Sequence, residues 1–139
     1  MIPFRGLAFH IRWILESMSV KLGINVVRLT RQFTGVGRYL ECLLRHWAEH
    51  GAPFDEVILY APQRLRADLV EFPLEAFTVR LVGQQGPDPV WEWRSLRHAA
   101  QEVDVLFCPS YTVPIGFDGR CAVSYHGPAY NEGLGFEAM

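Results

Sequence analysis

The sequence predicts an α/β domain, a doubly wound, Rossmann-like parallel sheet with helices on both faces. Three observations carry this expectation. Apolar segments alternate with amphipathic ones along the 139-residue chain in β-α-β-α-β-α-β order. The runs VILYA, VLFC and much of LGINVV are apolar throughout, as strands covered on both faces must be. Gly and Pro stand between the segments, where both periodicities break.

The elements follow in order. Lys21–Val27, rich in β-branched residues, reads as the first strand. Val36, Tyr39, Leu40, Leu43, Leu44 and Trp47 recur at helical spacing, with Thr34 at the N-cap position and Gly51 just past the end. Glu56–Ala61 is the second strand, stopped by Pro62. Gln63–Phe72 reads as a short helix with Leu65, Leu69 and Phe72 on one side, and Phe77–Val82 as the third strand. The loop GQQGPDP leads to a helix over Val90–Glu102 with Trp93, Leu96 and Ala100 on one face. Asp104–Cys108 and Cys121–Tyr125 complete the set. Right-handed crossovers would bring Arg28–Gly37, Ala61–Arg64, Pro109–Gly116 and His126–Glu132 to the carboxyl edge, where such sheets bind ligands.

Composition bounds the function. A net charge of −2 argues against a dedicated nucleic-acid binder. Residues 1–50 are nevertheless basic, and four arginines fall between Arg28 and Arg45, which points to a local anion site. Three cysteines without a CxxC pair read as reduced thiols in a cytoplasmic protein. No apolar run reaches the ~18 residues of a membrane span. Residues 1–19 read as a leader of uncertain order, of which 1–17 should pack little on the core, and 20–139 as the domain. The alternative for the leader is a membrane-surface helix giving peripheral membrane contact, since Arg and Trp suit an interface.

The most informative stretch is RLTRQFTGVGRY, from Arg28 to Tyr39. Gly35 and Gly37 would let backbone amides approach a ligand at a helix start, where unpaired N–H groups and the helix dipole suit phosphate. Arg28, Arg31 and Arg38 add charge; the alternative is a loop with solvated arginines. There is no GK[ST] for a Walker A loop, and Leu40 stands where a dinucleotide fingerprint needs its third glycine. His126 ends the fifth strand on the ligand edge, without a partner at metal spacing. It reads either as a site residue or as a strand-end histidine bonded to a carbonyl. The other histidines look like helix-surface residues. Ser110, in PSYTVP, lacks the glycine flanks of a nucleophile elbow.

Taken together, KLGINVVRL, TGVGRYLECLLRHW, DVLFCPSYTVPI and AVSYHGPAY resemble the N-terminal half of glycosyltransferase family 4, over about residues 20–132. The resemblance implies the N-terminal domain of a GT-B architecture, which mainly binds a glycan or lipid-linked acceptor. A second Rossmann-like domain would hold the nucleotide-sugar donor. It implies sugar transfer with retention, no cofactor beyond the nucleotide-diphosphate-sugar co-substrate, and no metal. Gly35, Val36, Gly37 and Arg38 would lie near the donor diphosphate, and His126 near the transferred sugar. His126→Ala would then lower kcat, whereas Gly37→Val would damage donor binding. The family's His-Asp pair is His126-Gly127 here. The sequence ends before a C-terminal donor domain, so the expectation is a chain inactive alone. The alternatives are a phosphate- or nucleotide-binding module without transferase activity, and an inactive truncated fragment.

Overall fold

The structure, a computed structural model, describes residues 19–124. It contains five strands in one wholly parallel sheet: β1 (Lys21–Asn25), β2 (Glu56–Ala61), β3 (Thr78–Leu81), β4 (Val105–Cys108) and β5 (Arg120–Val123). Their spatial order is β3-β2-β1-β4-β5. Leu22 pairs with Val57 on one side and Val105 on the other, so β1 is central.

Helix α1 (Gly35–His50) connects β1 to β2. A helical run over residues 88–102, here α2, connects β3 to β4. The two crossovers travel in opposite directions along the sheet, so crossovers of one hand place the helices on opposite faces. Strand alternation feeds both layers. Leu22, Ile24, Val57, Leu59 and Ala61 pack with Leu40 and Leu44 of α1. Ile58, Tyr60, Leu106 and Cys108 pack with Trp91, Leu96 and Ala100 of α2. This is the doubly wound, Rossmann-like arrangement that the strand runs predict.

Four local expectations are corrected. β1 stops at Asn25, because the Asn25 carboxamide oxygen accepts the Val27 amide at 3.1 Å and a 3₁₀ turn, Val27–Leu29, begins there. Residues 63–72 form no helix. Two of their backbone donors are taken elsewhere, the Arg66 amide by the Leu29 carbonyl at 2.8 Å and the Glu71 amide by the Glu41 carboxylate at 3.3 Å, leaving only a turn in which the Leu69 and Val70 amides bond to the Arg66 carbonyl. Leu65 and Phe72 are still buried in the α1 layer, so the apolar pattern is real but is not helical.

On α1 the buried face runs through Gly37, Leu40, Glu41 and Leu44, leaving Tyr39 exposed. Glu41 is tolerated there because its carboxylate is bonded to the Glu71 amide and lies 3.7 Å from Arg45. On α2, Trp93 is 42% exposed and Trp91 is buried instead. The cause is a π-helical turn, Glu92–Leu96. Its wider repeat turns Trp91 and Leu96, five residues apart, onto one side. The Trp91 indole N–H then donates to the Val82 carbonyl at 2.8 Å. The expectations for the packing of residues 1–17, for Tyr125 and for His126 concern positions outside the described residues.

Candidate functional site

β1 leads by way of α1 toward β2 and β3, whereas β4 lies on its other side, so the strand order reverses between β1 and β4. In open α/β sheets the crevice beyond the carboxyl ends at such a point is where ligands bind. Here that crevice lies above Asn25 and Cys108.

A polar network closes its floor. Asn25 is buried, and its Nδ2 donates to Oε1 of the buried Glu92 at 3.1 Å. The Thr112 hydroxyl donates to the same oxygen at 3.2 Å. Arg28 Nε donates to Ser110 Oγ at 3.3 Å. The first three side chains thus tie α2 to β1 and to the loop after β4, and the Arg28–Ser110 pair ties the two carboxyl-end loops together. Burial raises the Glu92 carboxyl above its ordinary range; the bonds from Thr112 and Asn25 and the charge of Arg28 oppose that rise, and Asp88 reinforces it. Burial likewise pushes the Cys108 thiol up to about 12, which suits an inert packed thiol. The three cysteines are free. The thiols of Cys42 and Cys121 are exposed.

The glycine loop sits on the same edge, and its two glycines do different work. A side chain at Gly35 would meet nothing within 4 Å, so the start of α1 is open there. Gly37 is buried, and a Cβ there would lie 3.2 Å from both the Arg28 carbonyl oxygen and Phe33 Cβ. Its missing side chain lets the loop close onto its own helix. Val36 is half-buried beside them. Thr34 occupies the N-cap position without a side-chain bond to the helix. Gly35→Ala should therefore leave stability unchanged or raise it by up to ~1 kcal/mol. Gly37→Val should cost about 2–3 kcal/mol through overpacking. Urea denaturation of the two variants checks this; equal stabilities would show that the loop yields freely. The expected damage from Gly37→Val therefore falls first on the loop itself.

The arginine cluster is more committed than its sequence implies. Arg31 pairs with Asp88 at the start of α2. Arg45 pairs with Glu71 at 2.6 Å and approaches Glu41. Arg28 is held by Ser110. Arg38 alone of the four makes no side-chain hydrogen bond or ion pair among the described residues. It is exposed, on a groove shared with Gln32, Phe33, Glu41 and Glu71. The anion-binding expectation thus narrows to Arg38 and the open helix start. His126 lies outside the described residues, so its convergence with Gly35 and Gly37 is not part of this geometry. His46 and His50 are exposed on α1 and His98 on α2, as expected of helix-surface residues.

Another concavity lies at the opposite, amino edge, lined by Trp47, Phe54, Asp55, Glu75 and Phe77. It is far from the switch point and holds no comparable converging network. Asn25, Glu92 and Thr112 were not singled out from the sequence, although each leaves a trace. Asn25 is the one polar residue in LGINVV, Glu92 is an acid between two tryptophans, and Thr112 lies within PSYTVP.

No protein-family model matches the chain, and no curated protein or solved structure matches it. Among the described residues no helix is long and apolar enough to cross a membrane, and no group of His, Cys, Asp and Glu has the makings of a metal site.

Proposed function

We propose that this chain is the acceptor-binding, N-terminal domain of a retaining glycosyltransferase of GT-B architecture. In this reading a second Rossmann-like domain faces the carboxyl edge and holds the nucleotide-sugar. The donor diphosphate meets the start of α1 at Gly35, Val36 and Arg38, and His126 stands near the transferred sugar. The observation that supports it is one of placement. The TGVGRY segment opens a helix whose start is uncapped by any side chain and carries an uncommitted arginine, on the same edge as the switch-point crevice. The resemblance of four ordered sequence segments points the same way.

The experiment is a titration of the isotope-labelled chain with methyl α-D-glucopyranoside, methyl α-D-mannopyranoside and methyl β-D-galactopyranoside, and separately with UDP-glucose and GDP-mannose. Amide resonances of residues 25–38 and 109–113 are expected to shift, with dissociation constants of about 1 mM or weaker. Those of the amino edge, at residues 51–56 and 75–78, are expected to stay in place. Glycosides that leave the carboxyl edge unperturbed would overturn the acceptor reading. Shifts from the nucleotide-sugars alone would favour a nucleotide-binding module.

A further inference from the structure

The loop GQQGPDP starts at Gly83, two residues past β3 on the carboxyl edge. Between it and the first turns of α2 lies a pocket of about 390 Å³, within the range of small-molecule sites. Its walls are fixed before any ligand arrives. Gly83 has a φ of +69°, and a Cβ there would lie 2.1 Å from Ser95 Oγ, so the loop's first residue is pressed onto α2 as only glycine allows. The Pro87 carbonyl accepts the Val90 amide at 3.0 Å and the Trp91 amide at 3.1 Å. The Trp91 indole, bonded to the Val82 carbonyl, closes an apolar floor together with Val90. The polar groups of the lining are by contrast uncommitted. Among the described residues the side chains of Gln84, Gln85, Arg94 and Ser95 make no hydrogen bond or ion pair. Arg94 is exposed, and its guanidinium carbon lies 5.9 Å from the centroid of the Trp93 ring. The nearby acids of α2 are engaged elsewhere: Asp88 with Arg31, and Glu92 with Asn25 and Thr112.

We infer that this pocket is a binding site for a small hydroxylated carboxylate, a sugar acid of the hexuronic type. The guanidinium fork of Arg94 matches a planar carboxylate through two parallel hydrogen bonds. Arg94 is the single cation in the lining among the described residues, so the pocket suits one negative charge better than a phosphate dianion. The Gln84 and Gln85 carboxamides and the Ser95 hydroxyl each donate and accept, as sugar hydroxyls require. Val90 and the edge of Trp91 give the C–H face of a pyranose an apolar seat. Because the walls are already pinned, little backbone ordering opposes binding. β3 stands two strand spacings from β1, about 10 Å, so the pocket is separate from the switch-point crevice. Its occupancy does not depend on what that crevice holds.

The test uses the isotope-labelled 139-residue chain, read by the amide shifts of residues 83–95. Methyl β-D-glucuronide is compared with methyl β-D-glucopyranoside, which carries a hydroxymethyl group in place of the carboxylate. The glucuronide is expected to bind about tenfold tighter than the glucoside. Arg94→Gln, at an exposed position, should abolish that difference and leave the rest of the spectrum in place. Acetate should bind at least ~10-fold more weakly than the glucuronide, because it offers no hydroxyls to Gln84, Gln85 and Ser95. Equal binding of glucuronide and glucoside, or a glucuronide preference that survives in Arg94→Gln, would overturn the site. Acetate binding as tight as the glucuronide would reduce Arg94 to a surface cation that takes any carboxylate, and tighter binding of inorganic phosphate would make this a phosphate site. Either result would overturn the sugar-acid assignment.

Discussion

Replacing Glu92 with Ala is expected to destabilise the domain by about 2–4 kcal/mol and to loosen both loops of the carboxyl edge. The carboxylate accepts two hydrogen bonds, from Asn25 Nδ2 and the Thr112 hydroxyl. Alanine would leave the buried Asn25 amide without its acceptor, and that desolvation is not recovered from water. Thr112 is exposed and can rehydrate, so its share is smaller. Glu92→Gln separates shape from charge. Its carbonyl oxygen can accept the same two bonds, so it should stay within ~1 kcal/mol of the parent near neutral pH.

The pH dependence has a definite sign. Burial holds the folded Glu92 carboxyl above its ordinary value of 4.5, so the unfolded chain loses this proton first. Stability from this group is therefore full at low pH and falls as pH rises from the unfolded value through the folded one. Asp68 and Glu102 run the other way. The Arg66 side chain lowers the first and the Tyr60 hydroxyl lowers the second, so their contributions are lost as pH falls. Both are unchanged in Glu92→Gln, so the difference between parent and variant isolates Glu92. That difference should move in favour of the variant between about pH 4 and 7. Urea denaturation across this range decides it. A difference independent of pH, or an alanine variant as stable as the parent, would remove Glu92 from the account.

Much of the fold was legible because parallel strands announce themselves by composition. EVILYA is apolar on both faces and occupies β2 over the span its pattern indicates. The misread elements failed for identifiable physical reasons. Leu65, Leu69 and Phe72 have helical spacing, yet the Leu29 carbonyl and the Glu41 carboxylate capture two of the amides a helix would use. Those partners are 30 or more residues away in sequence, so no local pattern could show them. Regular α-helical spacing puts Trp93 on the face of Leu96 and Ala100, whereas one π-helical turn puts Trp91 there instead.

The candidate site divides in the same way. Gly35, Gly37 and the arginines were legible because loop chemistry is written locally. Their division of labour was not. Gly37 is occupied with Phe33 and Arg28, and three of the four arginines have partners brought in by the fold. The Asn25–Glu92–Thr112 network joins β1, α2 and the loop after β4, and exists only once the sheet has assembled.

The largest stability effect is expected at Gly23, in the middle of the central strand. Gly23→Val should cost about 4 kcal/mol or more, out of the ~5–15 kcal/mol that holds a domain of this size. A strand would ordinarily welcome valine, but β propensity spans only ~1 kcal/mol. Against that, a Cβ at Gly23 would lie 2.8 Å from Tyr60 Cε2 and 3.0 Å and 3.2 Å from the Val103 methyl groups. The tyrosine cannot withdraw. Its ring is fully buried in the α2 layer, and its hydroxyl donates to Glu102 at 2.8 Å and lies 3.3 Å from the Ala99 carbonyl oxygen. Displacing the ring would strand those partners as well as open the core, and β2 and β4 flank β1 too closely for it to shift. Gly23→Ala, which adds the Cβ alone, should cost about 1–3 kcal/mol. The decisive measurement is a double-mutant cycle with Tyr60→Leu, which removes the contacted ring edge. The cost of Gly23→Val should fall by at least ~1 kcal/mol in that background. Additive effects would show that the clash is relieved by backbone movement, and that Tyr60 is not what requires glycine at this position.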